Sequence, residues 1–242
     1  MIPLFSVVMI GFFLGMRHAT DPDHVVAVAA IVSRERSLRA AAPIGVLWGV
    51  GHTLTILIVG IAIIAFGLVI PPRLGLGMEF SVSLMLVGLG AWNLVVLGRE
   101  ARRVTSDGHQ HPHPHTPGEI GALDRLAGRS RLFGLVRPLV VGVVHGLAGS
   151  AAIALLVLGT IREPRWGFVY LAVFGVGTLA GMFLITTAMA LPVVLSAVRF
   201  ARFHRGIAYA SAALSLIFGA FLVYDIGIVH GLFSSAPQWT PQ

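Results

Sequence analysis

The stretch "LGMRHATDPDHVVAV", Leu14–Val28, places five ionisable side chains (Arg17, His18, Asp21, Asp23 and His24) within eight residues, with hydrocarbon on both sides. Pro22 stands among them. Proline lacks a backbone N–H, and its ring clashes with the carbonyl four residues back, here that of His18. Asp21, immediately before the proline, is pushed away from helical angles. A helix entering this stretch is therefore expected to break at Ala19–Asp23. Irregular backbone at membrane depth persists only where it is buried in protein or lines a cavity.

The membrane context follows from composition. The chain has 242 residues, of which 56% are hydrophobic and 11% charged, and a mean hydropathy of +0.89. A soluble domain carries about 25% charged residues. Apolar runs longer than the roughly 18 residues that cross a bilayer recur along the chain. Six spans fit, at about 4–32, 44–70, 80–98, 138–161, 167–196 and 207–230. The expected fold class is an all-α polytopic membrane protein. Residues 2–16 lack a charged leader and run directly into the His/Asp cluster, so they read as part of the first span, not as a cleaved signal peptide.

The net charge is +7, and all 17 basic residues are arginine, set between the apolar runs. That placement reads as topology-determining charge and excludes a nucleic-acid partner. Thirteen arginines fall in the connections 33–43, 99–137 and around 197–206; only Arg73, Arg162 and Arg165 fall in the alternate ones. The positive-inside rule makes the first set cytoplasmic, in an inner (plasma) membrane, with both termini outside. There is no cysteine, so a metal would be held by histidine, carboxylate or backbone oxygen.

The two halves resemble each other. "GMRHATDPDHVVAVAAIV" aligns with "GVVHGLAGSAAIALLVLG", pairing His18 with His145 at an offset of 127; "GVGHTL" at 49–54 meets "GVGTLA" at 175–180 at 126; "GAW" at 90–92 meets "GAF" at 219–221 at 129. The expected organisation is a three-helix repeat over 1–98, a cytoplasmic His-rich loop over 99–137, and a second repeat over 138–242. A three-span repeat re-enters upside down, the architecture of transporters that bind substrate near the midplane at broken helices.

On an ideal helix His18, Asp21 and His24 share a sector of about 120°, and Asp23 points elsewhere unless the Pro22 break re-aims it. A charge at the bilayer centre costs on the order of 2.5–3.5 kcal/mol, so the two aspartates need Arg17, a protonated histidine or a cation. Imidazole nitrogen and carboxylate oxygen together suit a divalent transition metal such as nickel or cobalt. A self-neutralised Arg17–Asp cluster is the structural alternative. His52, in "WGVGHTLTI", and His145, in "VVHGLAGSAA", lie among small residues that allow close helix approach. Each is either a further ligand or a bond to a neighbouring helix. Asn93 either lines the path or bridges helices, and Asp225 falls at the interface. In "DGHQHPHPHTPG" the residues His109, His111, His113 and His115 alternate with Gln and Pro, a pattern that reads either as a flexible tract for weak metal capture or as a low-complexity linker with no role.

"LGMRHATDPDH" resembles the His-x4-Asp-His signature of the nickel/cobalt transporter family, and "VLWGVGHTLTI" is similar to that family's second motif. "VVHGLAGSAA" resembles the branch containing the urease-accessory-protein H-like membrane proteins. The resemblance implies metal recognition by His18, Asp21, Asp23, His24 and His52. Unlike the family's larger permeases, which have eight spans, this chain carries no acid in "HGLAGSAA" or "GVGTLAGM". The expected function is a permease for Ni²⁺ or Co²⁺, not an enzyme, with the ion as substrate and no cofactor. Its expected partners are the metal ion and the lipid bilayer. Alternatives are an efflux pump of the same architecture, an intramembrane zinc hydrolase, and a membrane assembly subunit with a structural cluster. The hydrolase would need a general base, and the six apolar spans contain no Glu.

Overall fold

The computed structural model describes residues 4–35, 37–67, 70–106, 131–146, 158, 161 and 163–239. Seven helices are described: α1 (Leu4–His18), α2 (Pro22–Val32), α3 (Leu38–Phe66), α4 (Pro72–Ser106), α5 (Arg131–His145), α6 (Pro164–Arg199) and α7 (Ala201–Tyr224). A π-helical turn, Asp225–Val229, ends the last of them. No strand occurs among the described residues.

The first expected span is built as two helices. Pro22 occupies the first turn of α2, and Asp21 caps it with φ −59° and ψ 145°, the extended backbone that a following proline imposes. The His18 carbonyl accepts from the Asp21 amide at 3.1 Å, and the Thr20 amide turns back to the Arg17 carbonyl at 2.8 Å. The break thus spans Ala19–Asp21, at the start of the expected interval.

Helices α3, α4, α6 and α7 are long and apolar enough to cross a membrane, while α1, α2 and α5 are shorter. Several helices outrun the hydropathy spans. Helix α4 begins at Pro72 rather than near 80 and so takes in Glu79. Hydropathy marks the hydrocarbon-facing stretch, whereas backbone hydrogen bonding carries a helix on into the polar interface. Outward-facing apolar residues at helical spacing, such as Leu54, Ile58 and Ile61 on α3 and Leu214, Ile217, Phe221 and Tyr224 on α7, are exposed. Such faces suit contact with lipid tails.

Helix α1 packs on α6, α5 on α3, α3 on α6, and α4 on α7. Close approach comes from glycines that leave room for a neighbouring backbone. A Cβ at Gly15 would overlap the Phe174 carbonyl of α6, and one at Gly142 would overlap the Trp48 carbonyl of α3. Gly177 meets the Phe12 carbonyl and Gly51 meets the Leu139 carbonyl in the same way. Gly90 sits on the Leu216 amide and the Ala212 carbonyl, while Gly219 sits on the Val87 amide and the Ser83 carbonyl. In each pair the second contact is the first with 126, 127 or 129 added to or taken from both residue numbers, the offsets seen in the sequence. Helix α1 shifted by 127 also coincides with α5.

Two apolar clusters fill the interior. One gathers Val26–Val28, Ile31, Trp48, Val82, Leu86 and Met182. The other gathers Val7, Ile56, Tyr170, Leu171 and Phe174. Asn93 donates from α4 to the Ala30 carbonyl of α2 at 2.6 Å, so it bridges helices. The His109–His115 tract and the residues following Gly146 in "HGLAGSAA" lie outside the described residues.

Candidate metal centre

Each candidate side chain is delivered by a helix end or a glycine-lined helix face. His18 is the last residue of α1, Asp21 caps α2, and Asp23 and His24 occupy its first turn. His52 lies midway along α3, and His145 is the last residue of α5. Gly51, beside His52, lets α5 come into backbone contact with α3. That approach brings His145 to the cluster from the second half of the chain.

The structure brings all six residues together. His18 Nδ1 and Asp21 Oδ2 are 2.8 Å apart, and His18 Nε2 lies 2.8 Å from His52 Nε2. Asp23 receives two imidazoles: Oδ1 from His24 Nδ1 at 3.1 Å and Oδ2 from His145 Nε2 at 3.0 Å. The break has turned Asp23 into the cluster, where a straight helix would have aimed it away. Arg17 is exposed, and the carboxylates bond to imidazoles instead, with Asp23 Oδ1 also accepting from the His24 amide at 3.0 Å.

His24, His52 and His145 are completely buried, and His18 is 5% exposed. His24 Nε2, His52 Nδ1 and His145 Nδ1 are buried without a hydrogen-bond partner among the described residues. A buried polar atom normally has a partner, and these three nitrogens keep unused bonding capacity within one cluster. The hydrogen-bond network assigns the tautomers. With the His18 Nδ1 proton on Asp21 and the His24 Nδ1 proton on Asp23, the Nε2 of each ring keeps its lone pair. A carboxylate that holds one nitrogen of an imidazole fixes the ring and raises the basicity of the other nitrogen toward a metal. Two groups of three, His18/His24/His52 and Asp23/His24/His145, each bring one donor atom per residue to within 4.8 Å of the others.

Two aromatic residues absent from the sequence expectations wall the cluster. Trp48 stacks on His24 at 5.5 Å between centroids and meets His145 edge-on at 5.4 Å. Phe174 lies 5.6 Å from His18. The available signals were spacing, since Trp48 is one helical turn from His52, and the offset of 126 that relates Trp48 to Phe174. Two further polar pairs were also not foreseen. Glu79 accepts from Trp239 Nε1 at 2.9 Å, and Asp225 lies 3.2 Å from His230. Glu79 stands inside α4, just ahead of the apolar stretch expected at 80–98.

A multi-pass helical protein that buries imidazoles beside carboxylates, where its first helix breaks within the fold, has the form of a membrane transporter for a cation. The chain belongs to the high-affinity nickel-transport protein family, whose model matches residues 4–232. It is a family of transporters, with nickel as the transported substrate and not a cofactor. The chain is 35% identical over 232 residues, 96% of each protein, to urease accessory protein UreH of Bacillus sp. (strain TB-90). It is 29% identical over 174 residues to the chloroplast protein FOR GROWTH AND FERTILITY 2 of Arabidopsis thaliana, covering 71% of this chain and 44% of that one. No solved structure matches the chain.

Proposed function

We propose that this chain is a permease that carries Ni²⁺, and also Co²⁺, across the inner membrane, with the ion held by His18, Asp23, His24, His52 and His145. Asp21 orients His18. The observation that carries the reading is the set of buried, unpartnered imidazole nitrogens at the broken first helix. Imidazole with carboxylate suits Ni²⁺ and Co²⁺, whereas Mg²⁺ and Ca²⁺ take oxygen ligands. The walls, Trp48 and Phe174, keep bulk water from the rings.

The permease has six spans in two inverted repeats, 1–98 and 138–242, joined by the cytoplasmic His-rich connection. Support comes from the reciprocal glycine contacts: exchanging the halves turns the α1–α6 contact into the α5–α3 contact and maps the α4–α7 contact onto itself. A two-fold axis relating the halves has that effect. The His109–His115 tract gathers metal on the cytoplasmic side.

Radiolabelled nickel content of cells at trace metal, with wild type and His18→Ala at equal membrane abundance, tests the reading. Wild type is expected to raise cell nickel, and His18→Ala to leave it at the level of cells lacking the protein. A fall with wild type would reverse the direction to export. No change with wild type would remove nickel transport as the function.

A further inference from the structure

His24 belongs to both three-donor groups, and its two ring nitrogens have different surroundings. Its Nδ1 is turned to Asp23, which also receives His145. Its Nε2 is buried and unpartnered, and is the nitrogen left for the group it forms with His18 and His52. The two nitrogens of an imidazole point apart in the ring plane, and whichever lacks the proton can bind, so an ion on Nε2 and an ion on Nδ1 occupy different places on the two edges of one ring. The other donors divide in the same manner. His18 and His52 come from α1 and α3, in the first half of the chain, and their Nε2 atoms converge at 2.8 Å. His145 comes from α5, in the second half, and pairs with Asp23. The His52 and His145 rings stand 6.4 Å apart, farther than either stands from His24, at 5.0 and 4.4 Å.

We infer that the cluster holds two adjoining positions for a divalent transition-metal ion, and that the His24 ring, common to both, passes the ion from one to the other. The first position is His18, His24 and His52, three neutral imidazoles. The second is Asp23, His24 and His145, whose carboxylate offsets one of the ion's two charges. Only a deprotonated nitrogen binds metal, so each position is filled by moving a proton across a ring: that of the His18–His52 contact goes to His52 Nδ1 at the first, and those joining Asp23 to His24 and His145 go to His24 Nε2 and His145 Nδ1 at the second, all three without a partner among the described residues. His145 is the one donor from the second half among the described residues. Movement of α5 against α3 therefore opens or closes the second position and leaves the first intact, giving a two-step path between the faces of the membrane. This rests on the reading of the cluster as the site of the transported ion.

The test uses the full-length protein in detergent with Ni²⁺ alone as probe. Bound nickel is measured by equilibrium dialysis, its ligand shell by X-ray absorption, and transport in cells. His52→Ala and His145→Ala are each expected to keep bound nickel but with different shells. His52→Ala keeps two imidazoles and a carboxylate, and His145→Ala keeps three imidazoles. Both are expected to lose transport at least roughly tenfold, because neither has both ends of the hand-off. His24→Ala is expected to lose both positions; if it does not fold, His24→Gln reads the same outcome with the space filled. Identical shells in His52→Ala and His145→Ala, or loss of all nickel in both, would establish a single position and overturn the inference while leaving the metal site in place. Wild-type nickel binding in a folded His24 variant would remove the metal site itself.

Discussion

At the level of single residues the account turns on which nitrogen of each imidazole is free. Among the described residues the Asp21 carboxylate bonds only to the Nδ1 of His18, the contact on which its proposed orienting role rests. Asp21→Asn is expected to weaken nickel uptake by about 10–100-fold, the range for losing a carboxylate behind a metal-binding histidine, while protein abundance stays at the wild-type level. Uptake kinetics against nickel concentration, at matched expression, check this. Protons compete with the metal for the same lone pairs, since neutral imidazole binds metal and imidazolium does not. Uptake is accordingly expected to fall as the medium is acidified far enough to protonate the rings, and uptake that stays constant while NMR shows the rings protonated would exclude histidine ligation at the rate-determining site. The first half of this site was legible in the sequence because its chemistry is local: charge amid hydrocarbon, and a proline that must break the helix. Trp48 and Phe174 were not legible, because an aromatic residue in an apolar span looks the same whether it faces lipid, core or a metal cluster.

Between residues and whole fold stand the helices and the glycines that let them meet. Gly142 lies against the Trp48 carbonyl, at the junction that delivers His145 and Trp48 together. A methyl group there has backbone, not a flexible side chain, in its way. Gly142→Ala is expected to destabilise the protein by about 1–3 kcal/mol, the usual cost of overpacking, and to lower nickel uptake by moving α5. Gly88 has nothing within 4 Å of an added Cβ, so Gly88→Ala is expected to leave both unchanged. Thermal unfolding in detergent together with uptake distinguishes the two variants. The start of α4 shows why element boundaries were harder to read than element identity: a run of mixed polarity before Glu79 continues the helix through its backbone, and hydropathy does not register it. His145 was reachable only through the repeat offset, since the segment after it carries no acid to mark a site.

For the molecule as a whole, the arginine distribution predicts that both termini and the α3–α4 turn face outward, and that the turns before α3 and before α7 face the cytoplasm. The turn before α3 carries Arg34, which pairs with Glu100 near the other end of α4 at 2.6 Å, so α2 and α4 end on the same face. Reporter fusions after Gly67 and after Phe200 are expected to report opposite sides, and the same side for both would refute the topology. The central claim is that the buried imidazoles carry the ion through this fold. Its most direct test is nickel entry into liposomes holding the purified full-length protein and a trapped metal-sensitive dye, with an imposed pH gradient of each sign. Wild type is predicted to admit nickel faster than empty liposomes under at least one gradient, with His24→Ala, folded and reconstituted at equal density, returning to the empty-liposome rate. Equal rates for wild type and empty liposomes, or for wild type and His24→Ala, would contradict the account.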